Sequence, residues 1–147
     1  MAKAVTQKYE ELVLEMSDDE GSTWAKICGV TDVSVTRTAN ADTSEVPDCD
    51  DESVPLSVER EVRSLEVSVS GTGVWAQQSH GGLMDWYYNG DTKYVRLGNL
   101  KAASGETEYE TGPAILTTLS NERTKGKKVS AEIEIQFDGT PTRSAKA

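Results

Sequence analysis

The sequence predicts a mainly-β domain with one helix and one long acidic loop. Three observations carry that expectation. Apolar and polar residues alternate at period two in several segments, most cleanly from Val129 to Asp138. Only Ala76–Tyr88 spaces its apolar residues as a helix does. Between two strand-like segments, residues 38–55 carry two prolines and six carboxylates with no Lys or Arg. A chain of 147 residues suits a single domain spanning 1–147 that buries its own core.

The elements follow in order. Leu12, Leu14 and Met16 alternate with Val13 and Glu15, and Ser17-Asp18-Asp19-Glu20-Gly21-Ser22 makes a turn. Trp24–Cys28 reads as a short return strand. Asp32–Thr36 alternates with Val33 and Val35 on one face. The loop at 38–55 is long for a compact domain, which marks it as functional or ordered only on assembly. From Leu56 to Ser70, Leu65, Val67 and Val69 share a face, whereas Val58 and Val62 have the opposite parity. A bulge, or a bend between two sheets, is expected near Arg63-Ser64.

In Ala76–Tyr88, Leu83, Trp86 and Tyr87 fall at i, i+3 and i+4, and Asn89-Gly90 supplies a stop. Gly81-Gly82 inside it costs about 2 kcal/mol relative to two alanines. A rival reading makes Asn89-Gly90 a hairpin turn before Lys93–Leu97; the helix is favoured. Gly112-Pro113 reads as a turn, Ala114–Ser120 as a strand, and Asn121–Lys128 as a basic turn containing Gly126. Then Val129, Ala131, Ile133, Ile135 and Phe137 alternate with Ser130, Glu132, Glu134, Gln136 and Asp138, giving one buried and one wet face. Residues 141–147 are polar and are expected to form a flexible tail.

Composition removes several function classes. Fifteen basic residues against 25 acidic leave a net charge of −10. That balance disfavours groove binding to nucleic acid, which needs phosphate-neutralising cations, and disfavours anionic membrane surfaces. No apolar run exceeds three residues, so no segment reads as a membrane span. The opening residues Met1–Lys8 lack an apolar stretch of the signal-peptide kind, so folding in the cytosol is expected. Cys28 and Cys49 form no Cys-x-x-Cys pair and are expected as free thiols.

Chemistry is sparse. His80 is the single histidine and has no nucleophile at a recognisable elbow, so no catalytic residue is assigned and an enzyme is not expected. Asp48-Cys49-Asp50-Asp51-Glu52 lacks the glycine and spaced glutamate of a calcium loop, and no metal or cofactor is expected. Gly71-Thr72-Gly73 lacks the third glycine of a dinucleotide fingerprint. Trp24, Trp75, Trp86 and the tyrosines fit packing better than base stacking, since no basic groove accompanies them. What survives is an acidic β surface: Glu132 and Glu134 on the wet face of the last strand, with Glu66, Ser68 and Ser70 on the non-core face of another. That combination suggests a structural or interaction protein. A β-sandwich module that binds a carbohydrate or a cation is the reading from a different class.

The order of elements, with particular stretches, resembles the major tail tube proteins of long-tailed phages and phage-like gene transfer agents. The stretches are Cys28-Gly29-Val30-Thr31-Asp32-Val33-Ser34-Val35, Pro47-Asp48-Cys49-Asp50-Asp51-Glu52, Val67-Ser68-Val69-Ser70-Gly71-Thr72-Gly73, Asp85-Trp86-Tyr87-Tyr88-Asn89-Gly90 and Phe137-Asp138-Gly139-Thr140-Pro141. The likeness runs from Tyr9 to Pro141, with a departure at Ser44-Glu45-Val46-Pro47.

The resemblance implies a two-sheet β-sandwich or barrel with one flanking helix. It implies hexameric rings in which four strands per subunit line a channel, stacked into a tube that DNA traverses without specific binding. Asp32, Ser34, Glu66, Ser68, Glu132, Glu134 and Gln136 are then expected to line the lumen. Asp42, Glu45, Asp48, Asp50, Asp51 and Glu52 of the loop, expected to be disordered until rings stack, would meet Arg123, Lys125, Lys127 and Lys128 of the next ring. Implied partners are further copies of the chain and the tail terminator, tape measure and distal tail proteins, in a virion tail assembled in the host cytoplasm. The tube of a contractile or secretion apparatus shares the implied fold.

Overall fold

The computed structural model describes residues 2–147. Among the described residues, a 3-10 turn at Tyr9–Glu11 is followed by eight strands and one α-helix in the order β1 Leu12–Ser17, β2 Ala25–Lys26, β3 Val30–Val46, β4 Ser57–Val74, α1 Gln77–Asn89, β5 Lys93–Asn99, β6 Thr107–Glu122, β7 Ser130–Phe137 and β8 Thr142–Ala145. All pairings are antiparallel. The strand order is β2-β1-β5-β6-β7-β4-β3, with β8 on β6.

The two sheets of the expected sandwich are joined through β6. Its first part pairs with β5 on one side and β8 on the other, up to Thr111 for β8 and Ala114 for β5. From Ala114 onward it pairs with β7. Gly112-Pro113, expected to be a turn, is instead the point where the strand passes between half-sheets. Proline lacks the N–H that a ladder on both sides would use, and it sits where partners change. The first half-sheet is β2-β1-β5-β6-β8, and the second is β6-β7-β4-β3.

One core lies between them. Leu14, Val95 and Leu97 meet Val67, Val69, Ile133 and Ile135, with Ala114 and Leu116 from the shared strand. Helix α1 adds Leu83 and Trp86, the latter 1% exposed with its indole N–H donating to the Asp91 carbonyl at 2.8 Å. Gly90 ends the helix at φ 64°, so the helix reading holds and the hairpin reading falls. Tyr87, the third residue of the expected apolar stripe, is half-exposed at the margin of that stripe. Between the half-sheets, Arg37 of β3 pairs with Glu110 of β6 through two hydrogen bonds. The Glu110 carboxylate raises the Arg37 guanidinium above its ordinary range.

The β1–β2 turn is held by its own side chains. Ser17 Oγ accepts the Gly21 N–H at 2.8 Å and donates to Asp19 at 2.7 Å. Hydrogen bonds from Thr23, then from Ser17, pull the Asp19 carboxyl down to about 2.

Two expectations need correction. Residues 38–46 belong to β3, which pairs through Val46 with β4, so only 47–56 connects the strands. The segment lacks a period-two pattern because it leaves the core, and pairing rather than burial makes it a strand. Thr142–Ala145, expected as flexible tail, pairs with β6 at the register Thr111↔Thr142 to Thr107↔Ala145. A short polar edge strand has no burial signature.

Glycine is required where β4 passes the start of β3. A Cβ on Gly73 would lie 2.1 Å from the Gly29 carbonyl oxygen, a backbone atom with little freedom to yield. Gly73→Ala should destabilise the protomer by about 1–3 kcal/mol, the range of overpacking. An unchanged denaturation midpoint in urea would contradict that close approach.

Candidate functional site

The second half-sheet turns one face to the core and the other to solvent. Cross-strand partners share a face, so the register can be read across four strands. On the outer face, Asp32 is opposite Thr72, Thr72 opposite Glu132, and Glu132 opposite Ser120. The next row is Ser34, Ser70, Glu134 and Thr118; the third is Thr36, Ser68, Gln136 and Ile115. Thr38 and Glu66 begin a fourth. The core side of the same strands carries Val35, Val69, Ile135 and Leu116 in one row. Ile133 and Ile135 are 2% and 0% exposed.

The structure thus brings Asp32, Ser34, Glu66, Ser68, Glu132, Glu134 and Gln136 together on one face. Sequence reasoning missed the contribution of β6, Thr118 and Ser120. A register shift between Leu116 and Thr118 breaks the alternation there. The face is built mainly of hydroxyls and carboxylates, with Gln136 and the exposed Ile115 in its third row, and its three paired rows hold no Lys or Arg. Within a row each carboxylate is flanked by hydroxyl residues rather than by another carboxylate, which avoids direct like-charge pairs. Thr72 Oγ1 donates to Asp32 at 3.5 Å, and the Gln136 amide to Glu134 at 3.3 Å.

This half-sheet has two open edges. β3 ends the strand order, and β6 beyond Ala114 pairs only with β7. Unpaired edges of this length template further pairing.

Its ends differ in charge. β4 has 18 residues and spans on the order of 60 Å at ~3.3 Å per residue. At its start lies the acidic tip 47–56. At its end, Val74 pairs with Ser130, next to the basic turn with Arg123, Lys125, Lys127 and Lys128. The structure therefore does not bring the two charged groups together within a protomer; it sets them at opposite ends.

The tip carries local bonds of its own. Asp48 Oδ1 accepts the N–H groups of Asp50 at 2.8 Å and Asp51 at 3.2 Å. Asp51 accepts from the Ser53 N–H at 3.0 Å and from its hydroxyl. Short polar side chains that bond their own backbone build turns without a core. Asp42 and Glu45, assigned to the loop from sequence, lie on β3; Asp42 pairs with Arg63 at 3.1 Å. Glu52 is exposed at the tip. Both cysteines are exposed. His80 accepts a bond from the Trp75 indole N–H at 3.0 Å. Among the described residues, no group of three His, Cys, Asp or Glu converges as metal ligands would.

A sheet with two free edges, one largely polar face and oppositely charged ends has the features of a self-assembling structural subunit. Comparison with known proteins gives the particular family. The chain matches the sequence profile described as phage tail tube protein over residues 6–143, and it belongs to that family. It shares its fold with a chain from the tail of an empty gene transfer agent particle refined with C6 symmetry, at TM-score 0.75 and 15% identity. That match covers 95% of this chain and 100% of the other. The SPP1 tail tube aligns at TM-score 0.68 and 12% identity, over 96% of this chain and 80% of that one. A chain of the anti-feeding prophage baseplate aligns at 0.63 and 12%, covering 99% and 97%. A comparison with curated protein sequences gives no match.

The hydroxyl and N–H of Ser53, in that order, hold the Asp51 carboxyl below its ordinary value of 3.8. A carboxylate whose folded pKa is depressed stabilises the fold above the unfolded value and loses that effect as pH falls through the folded one. The Asp51 bonds should therefore persist below pH 3.8 and fail only on stronger acidification. Carboxyl NMR titration reads this directly, and a midpoint at or above 3.8 would contradict the tip geometry.

Proposed function

We propose that six copies close into a ring whose lumen is lined by the polar face of β6-β7-β4-β3, and that rings stack head to tail into a tube for DNA. The observation that carries this reading is the pair of open edges on one four-stranded, antiparallel half-sheet. Rotation about an axis along the strands preserves their direction. β6 runs opposite to β3, so β3 of one copy beside β6 of the next makes another antiparallel pair. An even strand count per copy lets the barrel close without a parallel junction. Closure also removes the exposed edges. The count of six is supported by the C6 symmetry of the gene transfer agent tail that shares the fold.

The lumen is a passive conduit. Asp32, Glu66, Glu132 and Glu134 repel phosphate, so DNA slides past a hydroxyl-rich wall that offers no counterion-release binding. No bond is made or broken, and the subunit acts as a structural protein rather than an enzyme. Its place is the tail of a virion or virus-like particle, assembled in the cytoplasm of the producing cell. It meets a terminator at one end of the tube, distal tail proteins at the other, and a tape measure within. A second reading, the tube of a contractile apparatus, is favoured by the shared fold with a chain of a contractile injection system sheath–tube complex, at TM-score 0.57.

Stacking joins the acidic tip (Asp48, Asp50, Asp51 and Glu52) to the basic turn of the next ring (Arg123, Lys125, Lys127 and Lys128). Each exposed pair contributes only ~0.2–1 kcal/mol, but six copies act together and salt weakens all of them.

Negative-stain imaging of the concentrated protein should show rings about a central hole, and a persistent monomer would refute the reading. Glu132→Lys with Glu134→Lys should leave tubes that form yet deliver DNA poorly, because phosphate now binds the wall. Particles carrying both changes that deliver normally would leave the lumen as a merely geometric pipe. Changing Asp48, Asp50 and Asp51 to Asn should weaken stacking, as should replacing Lys125, Lys127 and Lys128 with Gln. Wild-type stacking itself should weaken with salt. If both variants polymerise as wild type does at every salt concentration, charge does not hold the rings together.

A further inference from the structure

The outer side of α1 is poor in charge. Of its 13 residues only Asp85 bears a full charge, in a chain whose residues are 27% Asp, Glu, Lys and Arg. A helix that meets only water keeps charged residues on its outer side. Here the last turn presents Tyr87 and Tyr88, 48% and 74% exposed, with their rings set edge to face at 5.2 Å. Few charges beside exposed tyrosines is the composition of an interface centre rather than of a wet surface.

The path of the helix decides where that turn lies. α1 follows the end of β4, and Leu83 shares a small cavity with Gly71 and Val74 of β4 and with Ala131 and Ile133 of β7. The helix also contacts β6 and leads into Lys93, which pairs with Ala114 of that strand. It therefore crosses the core side of the second half-sheet from β4 over β7 to β6, and its last turn stands beside the open β6 edge. The opposite flank of the sandwich, along the open edge of β3, is grooved. A cavity of about 330 Å³ lined by Leu12, Ile27, Val30 and Val33 continues, at Gln7 and Leu12, into one of about 500 Å³ beside Val35 and Arg37. Val33 and Val35 are only half-buried there, and Leu12 is exposed.

We infer that Tyr87 and Tyr88 of one copy seat in this flank groove of the adjacent copy within the same ring. The inference rests on the ring reading and adds to its strand junction a contact in the outer layer. When β3 of one copy lies beside β6 of the next, the last turn of the neighbour's α1 comes to the groove. The heights agree: Val35 shares its row with Val69, Ile135 and Leu116, and the helix delivers the chain to β6 at Ala114, beside that row. The occupant is a second copy because each chain bears the groove on one flank and the tyrosines on the other. A head-to-tail contact of that kind satisfies both surfaces in every copy once the ring closes. Tyrosines seated in apolar pockets are among the residues that dominate binding energy. Lys8 and Lys26 also line the groove, where an ammonium is attracted to the face of a tyrosine ring.

Tyr87→Ser with Tyr88→Ser should raise the protein concentration at which rings appear by more than about tenfold, read by sedimentation and negative stain. Both side chains lie outside the core, so the urea midpoint of the protomer should hold. Tyr87→Phe with Tyr88→Phe, which keeps both aromatic rings, should assemble as wild type does. Photoreactive p-benzoylphenylalanine in place of Tyr88, in rings mixed from isotopically light and heavy chains, should crosslink to a peptide of a different copy that contains Leu12 or Val33. If the serine changes lower the midpoint, the crosslink alone decides. Rings formed by the serine variant at wild-type concentrations would overturn the inference and leave the ring reading intact. So would a crosslink to the 47–56 tip or to any segment away from the groove, the absence of a crosslink between copies, or rings that close normally but no longer stack. Wild-type protein that forms no rings would instead sink the reading on which the inference rests.

Discussion

Register across β3, β4, β7 and β6 is the constraint on which the remaining features depend. Side chains alternate with a period of two, so a slip of one residue in any ladder would exchange core for surface along that strand. The ladders place Val35, Val69, Ile135 and Leu116 inward in one row and Ser34, Ser70, Glu134 and Thr118 outward in the next. The apolar rows bury against α1 and the other half-sheet, which pins the register. The polar rows then face outward without needing interactions of their own, so their chemistry is not constrained by the core.

That division explains how so acidic a chain holds together. With a net charge of −10, self-repulsion opposes compaction. The carboxylates are spread over a wide face, spaced by hydroxyls, or bonded locally as at Asp48 and Asp51. The ion pair between Arg37 and Glu110 joins the half-sheets at the margin of the core, where one partner comes from β3 and the other from the strand that both halves share.

Much of this was legible in the residues. The alternation of Val129–Asp138 gave β7 its correct phase, and the parity change between Val62 and Leu65 located the bulge. Leu83 and Trp86 with Gly90 gave the helix and its end. Other parts had no signature to read. Residues 38–46 pair outside the core, so neither face of that strand is sorted by burial within the protomer. Gly112-Pro113 looks like a turn because both residues favour turns, yet β6 uses them to change partners. Thr118 and Ser120 were missed because the register shift at Leu116 hides their phase. The charged ends were visible as composition, but their separation by the length of β4 is a property of the pairing.

β4 also has a mechanical consequence. It runs from the acidic tip to the basic turn, bonded to β3 along its length and to β7 over its last seven residues. A pull applied between those two ends acts along the strands and loads both ladders in shear. The hydrogen bonds then share the force and must yield together, whereas a pull across the strands would open them one at a time. The long axis of the β3–β4 ladder is thus the direction in which each protomer resists extension best.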